Sequence, residues 1–415
     1  MIVNATVGAG IFVLPATAAA DLGPSAPFAY IVCAVAMACI VTCVAAAGSR
    51  VATTGGIYAY TAAAFGPFAA FLAGALTWVS ASFGVAGIAS ALVASLAVTW
   101  TPAGDGAMRL AILSTIVAAL AWVNVRGVAL GGRLVEAMTV AKLLPLFVLI
   151  AAGLWFAPVN PTTWLPVPEA SAIGRTAILL IFAFVGIEVA IVPSGEIRDP
   201  SNTLPRAVFL ALAFTTLLYL MIQAVVQSAL GTDMADATAA PLAAAASRLI
   251  GRGGEILVLA GAAVSMLGYM AGDMLGTPRA LFALARDGAI PAALADVHRQ
   301  FRTPWVAICV HAAIVIALAA GNRFTELAII ANVSTLLLYL FCVAAAYRLQ
   351  QRGVRADGAP LVLPGGPLVP LAAAVLILWL LAQATARELA LTGALLAMAS
   401  AIYAWNSRRQ PAVTD

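Results

Sequence analysis

Charge is what this chain has least of. Only 9% of its 415 residues are Asp, Glu, Lys or Arg, where an ordinary soluble domain carries about 25%. Lysine occurs once, as Lys142, and histidine twice, as His298 and His311. The net charge of +4 comes with no basic–aromatic surface, so no nucleic-acid partner is expected. The five cysteines (Cys33, Cys39, Cys43, Cys309 and Cys342) show no CxxC or Cys–His spacing. Neither a metal nor any other cofactor is expected from them. Cys39 and Cys43 share a helix face and read as small buried hydrophobes. His298 falls in a loop, and His311 stands alone in an apolar run, as a packing residue would. A membrane-embedded enzyme would need a nucleophile–base pair or a metal set at depth. There is no HExxH, no pair of carboxylates, and no histidine in the same half to serve Ser194. The first apolar run has no positively charged leader with a cleavage site before it, so it is expected to be retained.

What fills the chain instead is apolar. Hydrophobic residues make up 63% and the mean hydropathy is +1.04. They are not confined to one helical face, so the segments read as lipid-embedded spans. They fall at roughly 2–22, 27–48, 67–98, 108–125, 133–157, 173–195, 204–230, 255–284, 304–320, 324–347, 367–386 and 388–406, with ends good to a few residues. The linkers are short and marked by Gly, Pro and charge, as at Gly23-Pro24, Gly66-Pro67, Gly104-Asp105-Gly106 and Gly251 to Gly254. The expectation is an all-α polytopic membrane protein of about twelve transmembrane helices, with residues 1–415 as one membrane domain. Counted with the N-terminus inside, fourteen arginines fall on the cytoplasmic side and six on the other. That bias puts both termini in the cytoplasm and the chain in the cell membrane as a multi-pass protein.

The first span is the wrong sequence for a plain helix. Val7-Gly8-Ala9-Gly10-Ile11-Phe12 carries two glycines, each costing roughly 1 kcal/mol relative to alanine in a helix interior. Unwinding there would leave backbone N–H and C=O groups without partners, which lipid does not tolerate. Such a break persists where it lines a cavity, as at the half-helix ends of secondary transporters. A small-residue packing face is the alternative reading of the same stretch. The sixth span, Ile181-Phe182-Ala183-Phe184-Val185-Gly186-Ile187-Glu188, also has a glycine near its middle, followed two residues on by a carboxylate. Two interrupted spans, five apart, favour an inverted repeat of five plus five helices.

Several motifs run in order along the chain: Gly8-Ala9-Gly10-Ile11-Phe12, then Gly55-Gly56-Ile57-Tyr58-Ala59-Tyr60 through Phe65-Gly66-Pro67, which reads as a loop after span two. Asn124 with Arg126-Gly127 follows, then Lys142-Leu143-Leu144-Pro145-Leu146, and Phe182 to Glu188 with Glu196, Asp199-Pro200 and Pro205-Arg206-Ala207. Last come Pro278-Arg279-Ala280, Ala285-Arg286-Asp287-Gly288, Pro291 and Thr303-Pro304. Each motif alone is weak. Together, in this order, they resemble the amino acid–polyamine–organocation transporters from span one to span ten. The resemblance implies a LeuT-like fold with broken helices one and six. Residues 1–157 would form the first five-helix repeat, 173–347 the second, and 367–406 two appended helices. Family members usually carry a cytoplasmic tail before span one. Here seven residues precede Gly8, about 10 Å of helix, so either the start is late or the cytoplasmic half of span one is short.

The breaks suggest their own chemistry. The half-helix after a break offers free N–H groups and positive dipole to a carboxylate, while the half-helix before one offers carbonyls to an ammonium. The amides of Gly8, Ala9 and Gly10 are therefore placed on a substrate carboxylate. The carbonyls near Thr6, Phe182 and Val185 are placed on its ammonium, as the resemblance also implies. Phe182 is either a gate over the substrate or plain core. Three intramembrane ionisable residues each cost about 2.5–3.5 kcal/mol on insertion scales and need a reason to be there. The resemblance sets Lys142 against span one, where sodium-coupled relatives hold a cation. Desolvation works against its charge, which makes it a proton-coupling candidate. Glu188 is a second one, or else a hydrogen-bonding partner for the broken helix. Asp273, on a face with Tyr269 and Gly276, either faces the substrate or caps the intracellular end. The expected function is alternating-access transport of an amino acid or related amine across the lipid bilayer, proton-linked. Exchange and non-transporting sensing are the alternatives.

Overall fold

The structure, a computed structural model, describes residues 6–51, 55–127, 132–157, 165–187, 200–235, 237, 239–355, 360–363 and 365–407. Among them stand thirteen α-helices and no strand: α1 (Gly10–Leu22), α2 (Pro27–Gly48), α3 (Ile57–Phe65), α4 (Pro67–Thr99), α5 (Gly106–Val125), α6 (Gly132–Phe156), α7 (Ala170–Phe184), α8 (Pro200–Leu230), α9 (Pro241–Arg286), α10 (Trp305–Gly321), α11 (Phe324–Gln351), α12 (Leu368–Leu381) and α13 (Ala386–Ser407). Proline opens α2, α4 and α9, where its missing N–H would have had no helical partner. Eight of these helices are long and apolar enough to cross a membrane, while α7, α10 and α12 are apolar but shorter. A crossing needs about 20 helical residues. The 15 residues of α7 fall short of that length.

Two boundaries differ from the sequence reading. The stretch between spans two and three, expected as a loop, contains the nine-residue helix α3, set off by Gly56 (φ 55°) and Gly66 (φ 91°). Both angles lie in the left-handed region that glycine enters without strain. The eighth span is preceded by a short helical stretch from Pro241, and the two join at a kink where Ile250 (φ −133°) and Gly251 (φ 73°) leave helical geometry.

α11 and α4 form the middle of the bundle. Two thirds of the most apolar stretch of α11 is buried (67%), against 6% for α13. Large apolar side chains on the outer helices point away from the protein, among them Leu144 and Phe147 of α6, Leu210 and Leu217 of α8, and Leu371 and Leu378 of α12. Lipid is the solvent such a surface needs. Inside, small residues let the helices meet closely. A Cβ on Gly261 of α9 would stand 2.5 Å from Pro145 of α6, and one on Gly87 of α4 would stand 3.4 Å from Leu327 of α11.

Polar contacts between linkers tie each end of the bundle. Arg109, in the first turn of α5, donates to the carbonyls of Ala319 (2.9 Å), Ala320 (3.0 Å) and Asn322 (3.2 Å) and to Ser90. A cation there answers the negative dipole end of α10. At the other end, Arg50 donates to the carbonyls of Val354 and Leu361, and Thr303 donates to Val125 O at 2.6 Å. Each of these contacts joins segments that the arginine count had assigned to one side.

Candidate functional site

The first span is interrupted in the structure. Residues 7–9 form a bend and not a helical turn, and the Gly8 N–H turns back to Thr6 O at 2.8 Å. α1 then starts afresh at Gly10. Phe12 N–H is accepted by Ala9 O at 3.1 Å, and the amides of Gly10 and Ile11 before it make the positive end of the helix, which lies at mid-protein. The other interruption is the end of α7. Val185 is extended (φ −62°, ψ 141°) and Gly186 takes φ 110°, a conformation that any Cβ would strain. The last carbonyls of α7 therefore lie in the same region as the first amides of α1.

Gly10 lets the two breaks approach. A Cβ there would meet Ala183 of α7 at 3.2 Å from Cα and 3.3 Å from Cβ, so the backbones of two helix ends nearly touch. Gly8 is different: its nearest neighbour in the same test is Tyr269 Cδ2, at 3.8 Å, which is ordinary contact.

A cavity of about 20 Å³ sits at this junction, room for about one water. Thr6, Gly8, Ala9 and Gly10 form one wall, and Phe182 and Val185 at the end of α7 form another. α4 contributes the stripe Ser80, Gly84 and Ile88, α9 contributes Tyr269, and α11 contributes Ala331, Asn332 and Thr335. Phe182 lies edge-on to Phe324, with ring centroids 5.4 Å apart, and its ring backs onto Gly84, where a Cβ would stand 3.5 Å away. Among the described residues, every polar side chain in the lining is a neutral hydroxyl or amide. Ser80 and Thr335 share a 2.5 Å hydrogen bond across the cavity wall. Asn332 donates through Nδ2 to Ile178 O (2.7 Å) and Leu179 O (3.0 Å), which fixes its orientation, while its buried Oδ1 accepts nothing.

Of the residues singled out in the sequence, Thr6, Gly8, Ala9, Gly10, Phe182 and Val185 are brought together in this lining. The Gly8 amide is spent on Thr6 O, so the helix-start donors begin with the residues after it. Asp273 is not among the lining residues. Its side chain is 5% exposed and pairs with His311, so that histidine is not the solitary packing residue the sequence suggested. Lys142 is buried in α6, which packs along α9 and α8. Glu188 lies outside the described residues.

One set of residues escaped the sequence reading. Tyr219, Gln223 and Gln227 lie four residues apart on α8, hence on one face. Each donates to a carbonyl of the first span or its end: Thr6 O (3.1 Å), Pro15 O (3.3 Å) and Gly23 O (2.6 Å). The Tyr219 hydroxyl also reaches Ala183 O at 2.8 Å, so a single O–H serves the ends of both breaks. The signal was present, because a polar stripe of four-residue spacing inside an apolar span needs an explanation.

The start of α1 and the end of α7 thus meet over one cavity, with amides on one side and carbonyls on the other, an arrangement that suits a transporter. The chain belongs to the amino acid permease family, which it matches over residues 1–399. It is a transporter of the membrane and not an enzyme. It is similar to the serine/threonine exchanger SteT of Bacillus subtilis (strain 168), 27% identical over 86% of this chain and 82% of that one. It is also 27% identical to the branched-chain amino acid permease BcaP of the same organism, over 91% of this chain and 85% of that one. An uncharacterized transporter of Mycobacterium tuberculosis (strain ATCC 25618 / H37Rv) is 34% identical over 76% of this chain and 70% of its own length.

Proposed function

We propose that this permease carries a small amino acid with an uncharged side chain across the cell membrane by alternating access, linked to protons. The observation that carries this reading is the lining of the junction cavity. An α-carboxylate fits the helix-start amides following Ala9, and an α-ammonium fits the carbonyls near Thr6, Phe182 and Val185. The side chain would then meet only Ser80, Asn332, Thr335 and Tyr269. With no charged partner among the described residues of the lining, a cationic or anionic side chain would be buried unpaired there, which is costly. The unfilled Asn332 Oδ1 favours a substrate that brings a donor, since a buried acceptor left alone costs about 1–3 kcal/mol.

The cavity is closed to about the size of one water, so loading requires the breaks to move apart. In this reading twelve spans are arranged as two inverted repeats, residues 1–157 and 173–347, followed by the helices in 367–406, with both termini cytoplasmic. The end-to-end consistency of the linker contacts supports that arrangement. Lys142 and Glu188 remain candidates for the coupling proton. Exchange is the second reading, favoured by the likeness to a protein named as a serine/threonine exchanger.

Reconstituted protein tests both. Uptake of labelled serine, threonine, alanine, leucine, lysine and glutamate would be measured with and without a pH gradient, and as counterflow, for wild type and Lys142→Ala. Accumulation of a neutral amino acid on an inward proton gradient is expected, reduced in Lys142→Ala while counterflow persists. Transport of lysine or glutamate alone would overturn the substrate class. Counterflow without gradient-driven accumulation would make the protein an exchanger.

A further inference from the structure

The structure holds a second polar centre, away from the cavity lining. His311 of α10 is fully buried and its Nε2 lies 2.9 Å from Asp273 Oδ2 of α9. Thr277, one turn on, donates to Asp273 Oδ1 at 2.7 Å. On the far side of the ring, His311 Nδ1 lies 3.4 Å from Ser82 Oγ of α4. The Ser82 hydroxyl proton points to Trp78 O at 2.8 Å, so Ser82 offers the imidazole a lone pair. Both ring nitrogens thus face acceptors, and that set of bonds is completed by an imidazolium beside a carboxylate.

We infer that the His311–Asp273 pair is a proton-binding site of the transport cycle, on the reading above that transport is proton-linked. Protonated, the pair is a neutral ion pair with every bond in place. When the imidazolium gives its proton to water, one negative charge remains between three helices at membrane depth, a state that low dielectric disfavours. Water entry or helix separation relieves that charge, so proton loss biases the conformation. Asp273 lies one turn from Tyr269 on α9, and Ser82 lies between Ser80 and Gly84 on α4. Tyr269, Ser80 and Gly84 all line the cavity, so two of the three helices around the pair also form walls of the substrate site. A proton shifts an equilibrium only where it binds two states unequally, and this geometry supplies the difference.

The surroundings leave few competing charges. α4 carries no ionisable residue. On α5, also packed against α10, Arg109 is committed to the carbonyls at the end of α10. The segment Ala292–Ala295 that touches both α9 and α10 has none. Along α9 itself Arg248, Arg252 and Glu255 precede the pair, and Arg279 and Arg286 follow it toward the end of the helix. Lys142 of α6, a helix packed on α9, is a buried cation.

The chain has two histidines, which makes the test direct. In nitrogen-15 histidine-labelled His298→Gln protein in nanodiscs, the remaining ring signals belong to His311. The result expected is a change from the doubly to the singly protonated ring as pH is scanned. Asp273→Asn should move that transition. In proteoliposomes, the ratio of gradient-driven uptake to counterflow for labelled serine and leucine should fall roughly tenfold or more in His311→Gln, and stay at the wild-type value in His298→Gln. A ring that keeps one protonation state throughout, or a His311→Gln protein that accumulates substrate normally on a gradient, overturns the inference and leaves the proton-linked reading standing. Counterflow with no gradient-driven uptake in wild type overturns both. If His311→Gln fails to fold, the spectrum of the His298→Gln protein, in which the pair is intact, still decides.

Discussion

Replacing Gly10 by alanine sets two physical effects against each other with opposite signs. Helix propensity favours the change, by up to about 1 kcal/mol. Packing opposes it, because the added Cβ would stand 3.2 Å from Ala183 Cα and 3.3 Å from its Cβ. Ordinary carbon contacts lie at about 3.5–4.0 Å, so the start of α1 and the end of α7 must separate by roughly 0.3–0.8 Å. The atom in the way is backbone and cannot rotate aside. Tyr219, hydrogen-bonded to Ala183 O, holds that backbone further in place. Overpacking of this kind costs about 1–3 kcal/mol, more than propensity returns. Gly8→Ala is the internal control, since its nearest neighbour is 3.8 Å away. Thermal unfolding in detergent and labelled amino acid binding should therefore both weaken in Gly10→Ala and stay close to wild type in Gly8→Ala. If the unfolding midpoint of Gly10→Ala rises and binding is unchanged, propensity has won and the close approach of the breaks has no energetic weight.

The hydroxyl of Tyr219 should matter beyond its ring. Tyr219→Phe leaves carbonyls at both breaks short of a donor, at about 1–3 kcal/mol, so stability and uptake should both drop while membrane insertion is unaffected. Wild-type uptake by this variant would separate the hydroxyl from the site. For topology, single cysteines near Arg126, Arg286 and Arg352 should label from the cytoplasmic side and those near Asp105 and Asp233 from outside. Labelling of both sets from one side would refute the alternation of spans.

Much of this protein is determined by composition and order alone. A chain with so little charge and such continuous apolar runs has to place its helices in lipid, because no other solvent accepts their surfaces. Glycine in the middle of two apolar spans marks the interruptions: the bend at residues 7–9 leads into Gly10, and Gly186 takes φ 110° just past the end of α7. Those signals are local, and the lining residues Thr6, Gly8, Ala9, Gly10, Phe182 and Val185 were legible from them. The other walls were not. Ser80 and Gly84 on α4, Tyr269 on α9 and Asn332 on α11 lie far apart in sequence, and only helix packing brings them to one cavity. The same holds for His311 and Asp273. Each reads alone as an awkward polar residue in an apolar span, and 38 residues separate them. Their pairing depends on the rotation of α10 against α9, which is set by tertiary packing and leaves no mark in the spacing of either residue. Local backbone chemistry is written residue by residue, whereas the choice of partner for a buried charge is made only when helices are laid side by side.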